Sequence, residues 1–184
     1  MRIDSHISYD GAEKRLTRLG LTPLFDEVVN IIQQTPIYLQ EEKESNGAAF
    51  IREHLDNNFT SYGGWIKTQV GGIDWQKTLT HQTSPQPIQV SLGVEIQVSG
   101  RSDMVIRDLV HFRNSLRDGA VDVGLIIVPS DRLQKYLPDR TLNLSTAQRY
   151  IEQEFHEALQ FPLFLVSIEH DGQGPALPKK RTKQ

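Results

Sequence analysis

Two acidic residues on strand-like stretches, Asp74 and Glu95, are the feature of this sequence that points most directly to chemistry. Asp74 ends one strand-like run, and Glu95 lies inside the apolar run Val94–Val98, with Gln97 two positions later. Because side chains alternate between the two faces of a strand, Glu95 and Gln97 share one face and the apolar residues share the other. Two carboxylates that converge form an oxygen-only site for a divalent cation such as Mg²⁺, with positions left for water and phosphate. The pattern is typical of phosphodiester hydrolysis.

Histidine and cysteine, the other common metal ligands, give no comparable signal. The six histidines, at positions 6, 54, 81, 111, 156 and 170, are scattered and do not predict a ligand set. Cysteine is absent, which excludes disulfide scaffolds, cysteine-ligated zinc and thiol catalysis. We therefore expect a site built from oxygen ligands.

The composition limits the location and the partners that we expect. The absence of cysteine fits a reducing cytoplasm. The N-terminal residues do not resemble a signal peptide, and no apolar stretch approaches the length of a membrane span, so we expect no membrane partner. The net charge of −3 does not exclude a nucleic-acid-binding protein, because metal ligands are acidic and positive charge needs only to be local.

The elements that must position these residues follow from the periodicity of the sequence. Capping residues and apolar stripes predict helices that begin at Thr22, Asn46, Ser102 and Ser145. Apolar and β-branched runs predict strands over residues 65–70, 74–80, 88–98, 123–128 and 161–168. Helices that flank a central mixed β-sheet give an α/β fold with the two carboxylates on neighbouring strands. We expect one domain over residues 1–172, then a flexible basic tail over 173–184 that is either solvated or contacts a nucleic-acid backbone.

Two short motifs carry a resemblance to a known family. Asp74-Trp75-Gln76-Lys77 followed by Glu95-Ile96-Gln97 resembles the PD-(D/E)XK nuclease superfamily, and specifically the BglII and BstYI type of restriction endonuclease. Gln97 is the distinctive position, since most of the superfamily has lysine there. A turn-rich insertion, residues 81–87, separates motifs that nearly adjoin in the enzymes this chain resembles. The resemblance implies a restriction-endonuclease-like core and a Mg²⁺-dependent, sequence-specific endonuclease acting on double-stranded DNA.

The resemblance also implies a role for each residue of the two motifs. Asp74 and Glu95 would bind Mg²⁺ together with the main-chain carbonyl of Ile96. Lys77 would neutralise phosphate charge, and Gln97 would orient the attacking water or a phosphate oxygen. Each role has a structural alternative: a turn for Asp74, an edge carboxylate for Glu95, and solvated side chains for Lys77 and Gln97.

Two loops are candidates for DNA contacts. Arg101 and Ser102 precede the long helix, whose N-terminus attracts phosphate. Arg140, Thr141 and Asn143 occupy the place where the resembled enzymes read bases, arginine pairing with guanine and asparagine with adenine. The alternative for both segments is an ordinary surface loop.

Palindromic cleavage needs two sites related by a two-fold axis, so the resemblance implies a homodimer and a methyltransferase that protects host DNA. Two other functions remain open at this point. One is a structure- or damage-directed nuclease with the same core. The other is a DNA-binding or dimerisation module that lacks turnover, which the separation of the two motifs motivates.

Overall fold

The computed structural model describes residues 1–68 and 72–179. Six strands form a central sheet: β1 (Arg2–Ser8), β3 (Ile66–Lys67), β4 (Trp75–His81), β5 (Ile88–Ile96), β6 (Val123–Pro129) and β7 (Leu163–Glu169). Their order is β1-β7-β6-β5-β4-β3. Strands β5, β6 and β7 are parallel to one another, whereas β1, β4 and β3 join through antiparallel pairs. The predicted α/β class with a central mixed sheet is therefore confirmed.

Helices cover both faces of this sheet. One face carries α1 (Ala12–Arg18), α2 (Thr22–Gln33) and α3 (Ala48–Tyr62), and the other carries α4 (Met104–Arg117) and α6 (Leu144–Arg149). The short helix α5 (Asp131–Gln134) follows β6, and α6 continues into a π-helical turn (Tyr150–Glu154) and a 3₁₀ helix (His156–Gln160). Strand β6 is apolar throughout because its side chains enter both cores: Val123, Leu125 and Ile127 enter one, and Ile126 and Val128 the other.

The caps of two predicted helices differ from expectation. Helix α6 is capped by Asn143, whose Oδ1 accepts a hydrogen bond from the Thr146 amide at 2.9 Å. The predicted cap, Ser145, instead donates its hydroxyl to Asp131 and accepts no capping bond. Helix α4 starts at Met104 without a side-chain cap, so the predicted cap at Ser102 is also wrong.

The third predicted helix and one strand are also shifted. Helix α3 begins at Ala48, because the buried Asn46 side chain is used to hold the preceding loop, with its Oδ1 accepting from the Gln40 amide at 3.1 Å. Among the described residues of the strand predicted over 65–70, Ile66–Lys67 form β3, and residues 69–71 lie outside the described part of the chain.

The segment after β7 is packed as far as residue 179. A two-stranded parallel pair joins β2 (Tyr38–Leu39) to β8 (Gly172–Gln173). Leu177 is buried, its amide donates to Asn46 Oδ1 at 3.1 Å, and Lys179 Nζ donates to the Glu44 carbonyl at 2.8 Å. These contacts involve residues of the predicted tail over 173–179, residues 180–184 lie outside the described part, and the flexibility of the tail stays a prediction. Among the residues described, no helix is long and apolar enough to cross a membrane.

Candidate active site

An antiparallel hairpin brings Asp74 and Glu95 together. Trp75 of β4 pairs with Val94 of β5, which places Asp74, one residue before β4, beside Glu95. Asp74 Oδ2 accepts a hydrogen bond from the Ile96 amide at 2.9 Å, and, in addition to burial, the charge of Asp74 is close enough to Glu95 to raise the pKa of the Glu95 carboxyl group. The insertion at 81–87 forms the turn at the opposite end of this hairpin, so it lengthens the sequence between the motifs without separating their side chains.

The guanidinium of Arg52, on α3, lies among the predicted metal ligands. Arg52 Nη2 is 2.8 Å from Asp74 Oδ1, and Arg52 Nη1 donates to the Ile96 carbonyl at 2.7 Å. Arg52 Nε also pairs with Asp56 Oδ2 at 3.1 Å. Two of the three groups predicted to bind Mg²⁺, Asp74 and the Ile96 carbonyl, thus already contact a cationic group.

Asp56 ties this arginine to the sheet. Its carboxylate also accepts hydrogen bonds from Trp75 Nε1 and Lys67 Nζ, each at 2.8 Å. Burial alone would raise the pKa of Asp56, but the hydrogen bonds from Lys67 and Trp75 and the charge of Arg52 outweigh burial and lower it. Asp56 is therefore an ionised anchor that fixes the Arg52 side chain beside Asp74.

Glu95 is a carboxyl group in a nearly closed environment, with an exposed fraction of 3%. Burial raises the pKa of Glu95 to about 10, and the neighbouring charges of Asp74 and Asp108 add to the effect. A buried carboxylate beside two others is costly unless a cation neutralises it. The donor set of Asp74, Glu95 and Ile96 contains only oxygen, and it fits a hard divalent cation.

Helix α4 adds two residues that sequence reasoning missed, Asp108 and His111. His111 Nδ1 is 3.1 Å from Glu95 Oε1, and one ligand atom from each of Glu95, Asp108 and His111 lies within 4.8 Å of the others. Burial raises the pKa of Asp108 to about 7, with the charge of Asp74 adding to it. Burial and the charge of Arg107 lower the pKa of His111. The available signal was their i, i+3 spacing on a helix that follows the Glu-x-Gln strand.

Gln97 is buried rather than solvated. Its amide Nε2 donates to the Arg101 carbonyl at 3.3 Å, and its exposed fraction is 6%. The side chain therefore connects the end of β5 to the loop that precedes α4. The solvent-facing alternative for Gln97 does not apply.

Lys77 does not belong to this site. Three positions separate it from Asp74, so strand alternation turns the two side chains to opposite faces, and Lys77 pairs in register with the core residue Leu92. Its Nζ lies 2.7 Å from Glu27 Oε2 on α2 and 3.2 Å from the Gly63 carbonyl. The structure thus places the Lys77 ammonium in an ion pair between β4 and α2, away from Asp74 and Glu95, and does not bring it to the phosphate-neutralising position that the motif predicts.

The two predicted DNA-contact loops line one groove of about 400 Å³. Arg101 and Arg140 lie in it, together with Lys179. Arg101 makes a two-point contact with Asp103, its Nε and Nη2 each 3.0 Å from a carboxylate oxygen. The backbone of Arg140 is in the left-handed region, with φ 67°, at the tip of its loop. The groove therefore brings cationic side chains from three segments to one surface.

Two of the predicted base-contact residues make local hydrogen bonds in this structure. Thr141 is buried, and its hydroxyl donates to the Pro138 carbonyl at 2.7 Å. Asn143 Oδ1 caps α6, whereas a two-point contact with adenine needs both the oxygen and the nitrogen of the amide. In this structure both side chains serve local structure, and the roles of Thr141 and Asn143 in DNA binding stay predictions. Ser102 lies beside Arg101 at the start of α4, and its role stays a prediction.

The sequence matches the restriction endonuclease BglII/BglIII family over residues 6–168 of the 184. The match spans β4, β5, α3 and α4, and so includes every residue of the carboxylate cluster and its Arg52 partner. No curated protein matches the chain. The chain belongs to the BglII/BglIII restriction endonuclease family and is a type II DNA endonuclease.

Proposed function

We propose that the protein is a Mg²⁺-dependent endonuclease that cleaves a specific sequence in double-stranded DNA as a homodimer. One observation carries the proposal. The carboxylates of Asp74 and Glu95 adjoin one another, and the Arg52 guanidinium occupies the space that Asp74 shares with the Ile96 carbonyl. A small divalent cation needs the same oxygens that this guanidinium contacts.

Asp74, Glu95 and the Ile96 carbonyl are the groups that would hold Mg²⁺. Bound there, the ion would supply an activated water and neutralise charge on the phosphate. Arg52 keeps a positive charge beside Asp74, and this charge can pair with an oxygen of the bound phosphate. Gln97 holds the Arg101 loop against β5, which fixes the distance between the site and the groove.

The groove is the surface that we assign to DNA. Arg101 and Lys179 would contact the phosphate backbone, which gives affinity without sequence information. Arg140, at the loop tip, is the side chain that we assign to reading a base in the major groove, because an arginine fork matches the two acceptors of guanine.

A homodimer follows from the kind of DNA site that we propose. Two copies related by a two-fold axis place two active sites on the two strands of a palindrome. A DNA methyltransferase of matching specificity is the expected genetic partner, since the host sequence must be protected from cleavage.

The direct test is incubation of phage DNA with the protein and Mg²⁺, followed by sequencing of the new ends. We expect cleavage at one short palindrome, and a loss of at least about 10³-fold in rate for Glu95→Gln. Glu157→Gln is the matched control, because Glu157 is an exposed carboxylate paired with Arg113 outside the site. Cleavage at branches or nicks without a preferred sequence would select a structure-directed nuclease. Binding without any nicking would select an inactive DNA-binding module.

A further inference from the structure

Glu95, Asp108 and His111 form a cluster of potential metal ligands, of which the Mg²⁺ site proposed above uses only Glu95. Glu95 belongs to both sets of residues, whereas Asp108 and His111 face it from α4. One ligand atom from each residue lies within 4.8 Å of the other two. Ligand atoms bound to one ion at about 2.1 Å lie at most about 4.2 Å apart, so a contraction of about half an ångström would seat an ion.

A second observation points to a missing ligand. Asp108 has an exposed fraction of 1%, and its Oδ2 has no hydrogen-bond partner in the described part of the chain. Its other oxygen lies 3.8 Å from Arg107 Nε, which is too long for a hydrogen bond. Most buried carboxylate oxygens in proteins are paired, so an unpaired one on a side chain that clusters with two other potential ligands points to an absent cation.

The side chains are already held in place. Asp108 and His111 are three residues apart on α4, so they lie on one face of a regular helix. The 3.1 Å contact between His111 Nδ1 and Glu95 Oε1 marks the position where an ion would replace a shared hydrogen. Neighbouring residues of α4, Leu109 and Phe112, are fully buried and anchor the helix against the sheet.

We propose that Glu95, Asp108 and His111 form a second metal site that binds a divalent transition-metal ion such as Mn²⁺ in preference to Mg²⁺. The imidazole nitrogen sets this preference, because Mg²⁺ selects oxygen ligands whereas first-row transition ions accept imidazole together with carboxylate. Since Glu95 would be shared, the second ion lies next to the proposed Mg²⁺ site. The binding claim stands without the proposed function, and only its use in cleavage rests on that function.

The test is pulsed electron paramagnetic resonance of Mn²⁺ bound to the full chain. We expect a ¹⁴N coupling from a directly bound imidazole in the wild-type protein and in Asp74→Asn. His111→Gln should abolish this coupling, and Asp108→Asn should weaken Mn²⁺ binding to the site at least about tenfold. The exposed residue His156 supplies the control, since His156→Gln should leave the spectrum unchanged. Absence of a nitrogen coupling in the wild-type protein, or its persistence in His111→Gln, would overturn the assignment.

A crystallographic measurement avoids any dependence on the folding of the variants. An anomalous difference map from wild-type crystals soaked in Mn²⁺ should show a peak within bonding distance of Asp108 and His111. A peak confined to Asp74 and Glu95 would contradict the second site. Nitrogen-bound Mn²⁺ in a protein that cleaves no DNA would support the second metal site and contradict the proposed function. Cleavage with Mg²⁺ but without nitrogen-bound Mn²⁺ would support the proposed function and contradict the second metal site.

Discussion

The Arg52 guanidinium lies 2.8 Å from the Asp74 carboxylate and 2.7 Å from the Ile96 carbonyl, in the space between two of the proposed metal ligands. An arginine in this place neutralises Asp74 when no ion is bound. It also competes with an ion for the same oxygens. Two effects of removing it, one on stability and one on metal binding, can therefore be separated.

Arg52→Ala is expected to destabilise the metal-free protein by about 2 kcal/mol, because Asp74 and Asp56 lose a partly buried partner. The midpoint of thermal unfolding should fall by about 4–8 °C. Added Mg²⁺ should then stabilise the variant more than the wild-type protein, since the ion no longer displaces the guanidinium. Arg117→Ala, which removes an exposed arginine, is the control. Equal stabilisation of both proteins by Mg²⁺ would contradict this competition.

The assignment of Lys77 to the opposite face of the sheet has its own consequence. Lys77→Met should reduce stability by about 1 kcal/mol, because Glu27 loses its ammonium partner at 2.7 Å. It should leave the single-turnover cleavage rate within about threefold of wild type at a temperature where the protein is folded. A loss of several hundredfold in the cleavage rate of the folded variant would show that Lys77 takes part in the reaction.

The two arginines of the groove should differ in what they contribute to DNA binding. Arg140→Ala should cost about 1–3 kcal/mol on the cognate site and little on other DNA, because an arginine fork reads a base edge. Arg101→Ala should weaken binding to all sequences and reduce the slope of log affinity against log salt by about 1. Fluorescence anisotropy with cognate and scrambled duplexes at several salt concentrations measures both. Identical losses on both duplexes for Arg140→Ala would exclude base readout by that residue.

The lowered pKa of Asp56 predicts how the stability of the protein depends on pH. This pKa lies below the ordinary value for an aspartate, so Asp56 binds fewer protons in the folded state than in the unfolded state. The stabilisation it gives is complete above about pH 4 and is lost as the pH falls through the lowered pKa. In urea unfolding at neutral pH, the free energy of unfolding of the wild-type protein should exceed that of Asp56→Asn by about 1–2 kcal/mol. That difference should shrink below about pH 3; a constant difference would show that the charge of Asp56 is unimportant.

Some elements followed directly from the sequence because one physical signal determined them. Strand β6 is a continuous apolar run, which is typical of a strand buried on both faces. The carboxylate of Glu95 stood out because a charge among Val94, Ile96 and Val98 needs a partner. Gly119 follows the C-terminal cap of α4, with its backbone at φ 71°, as is common for a glycine just after a helix.

Other features depend on tertiary contacts that a single sequence does not contain. Asp108 and His111 have the spacing of an exposed helix face, and only the packing of α4 against β5 turns them towards Glu95. Lys77 was assigned by its motif, whereas the pairing of β4 with β5 decides which face it occupies. Both Asn143 and Ser145 are good cap residues, and the contact of Ser145 with Asp131 on a separate helix selects the former. Strand β1 lies at the sheet edge with alternating exposure, and its many polar residues do not give the apolar run by which the other strands were predicted.

The central claim is that Asp74 and Glu95 share a divalent cation on which cleavage depends. Calorimetric titration of Mg²⁺ into the wild-type protein and into Glu95→Gln tests it most directly. We expect saturable Mg²⁺ binding to the wild-type protein and a loss of at least about tenfold in affinity for the folded variant. Equal Mg²⁺ affinity for both proteins would contradict it.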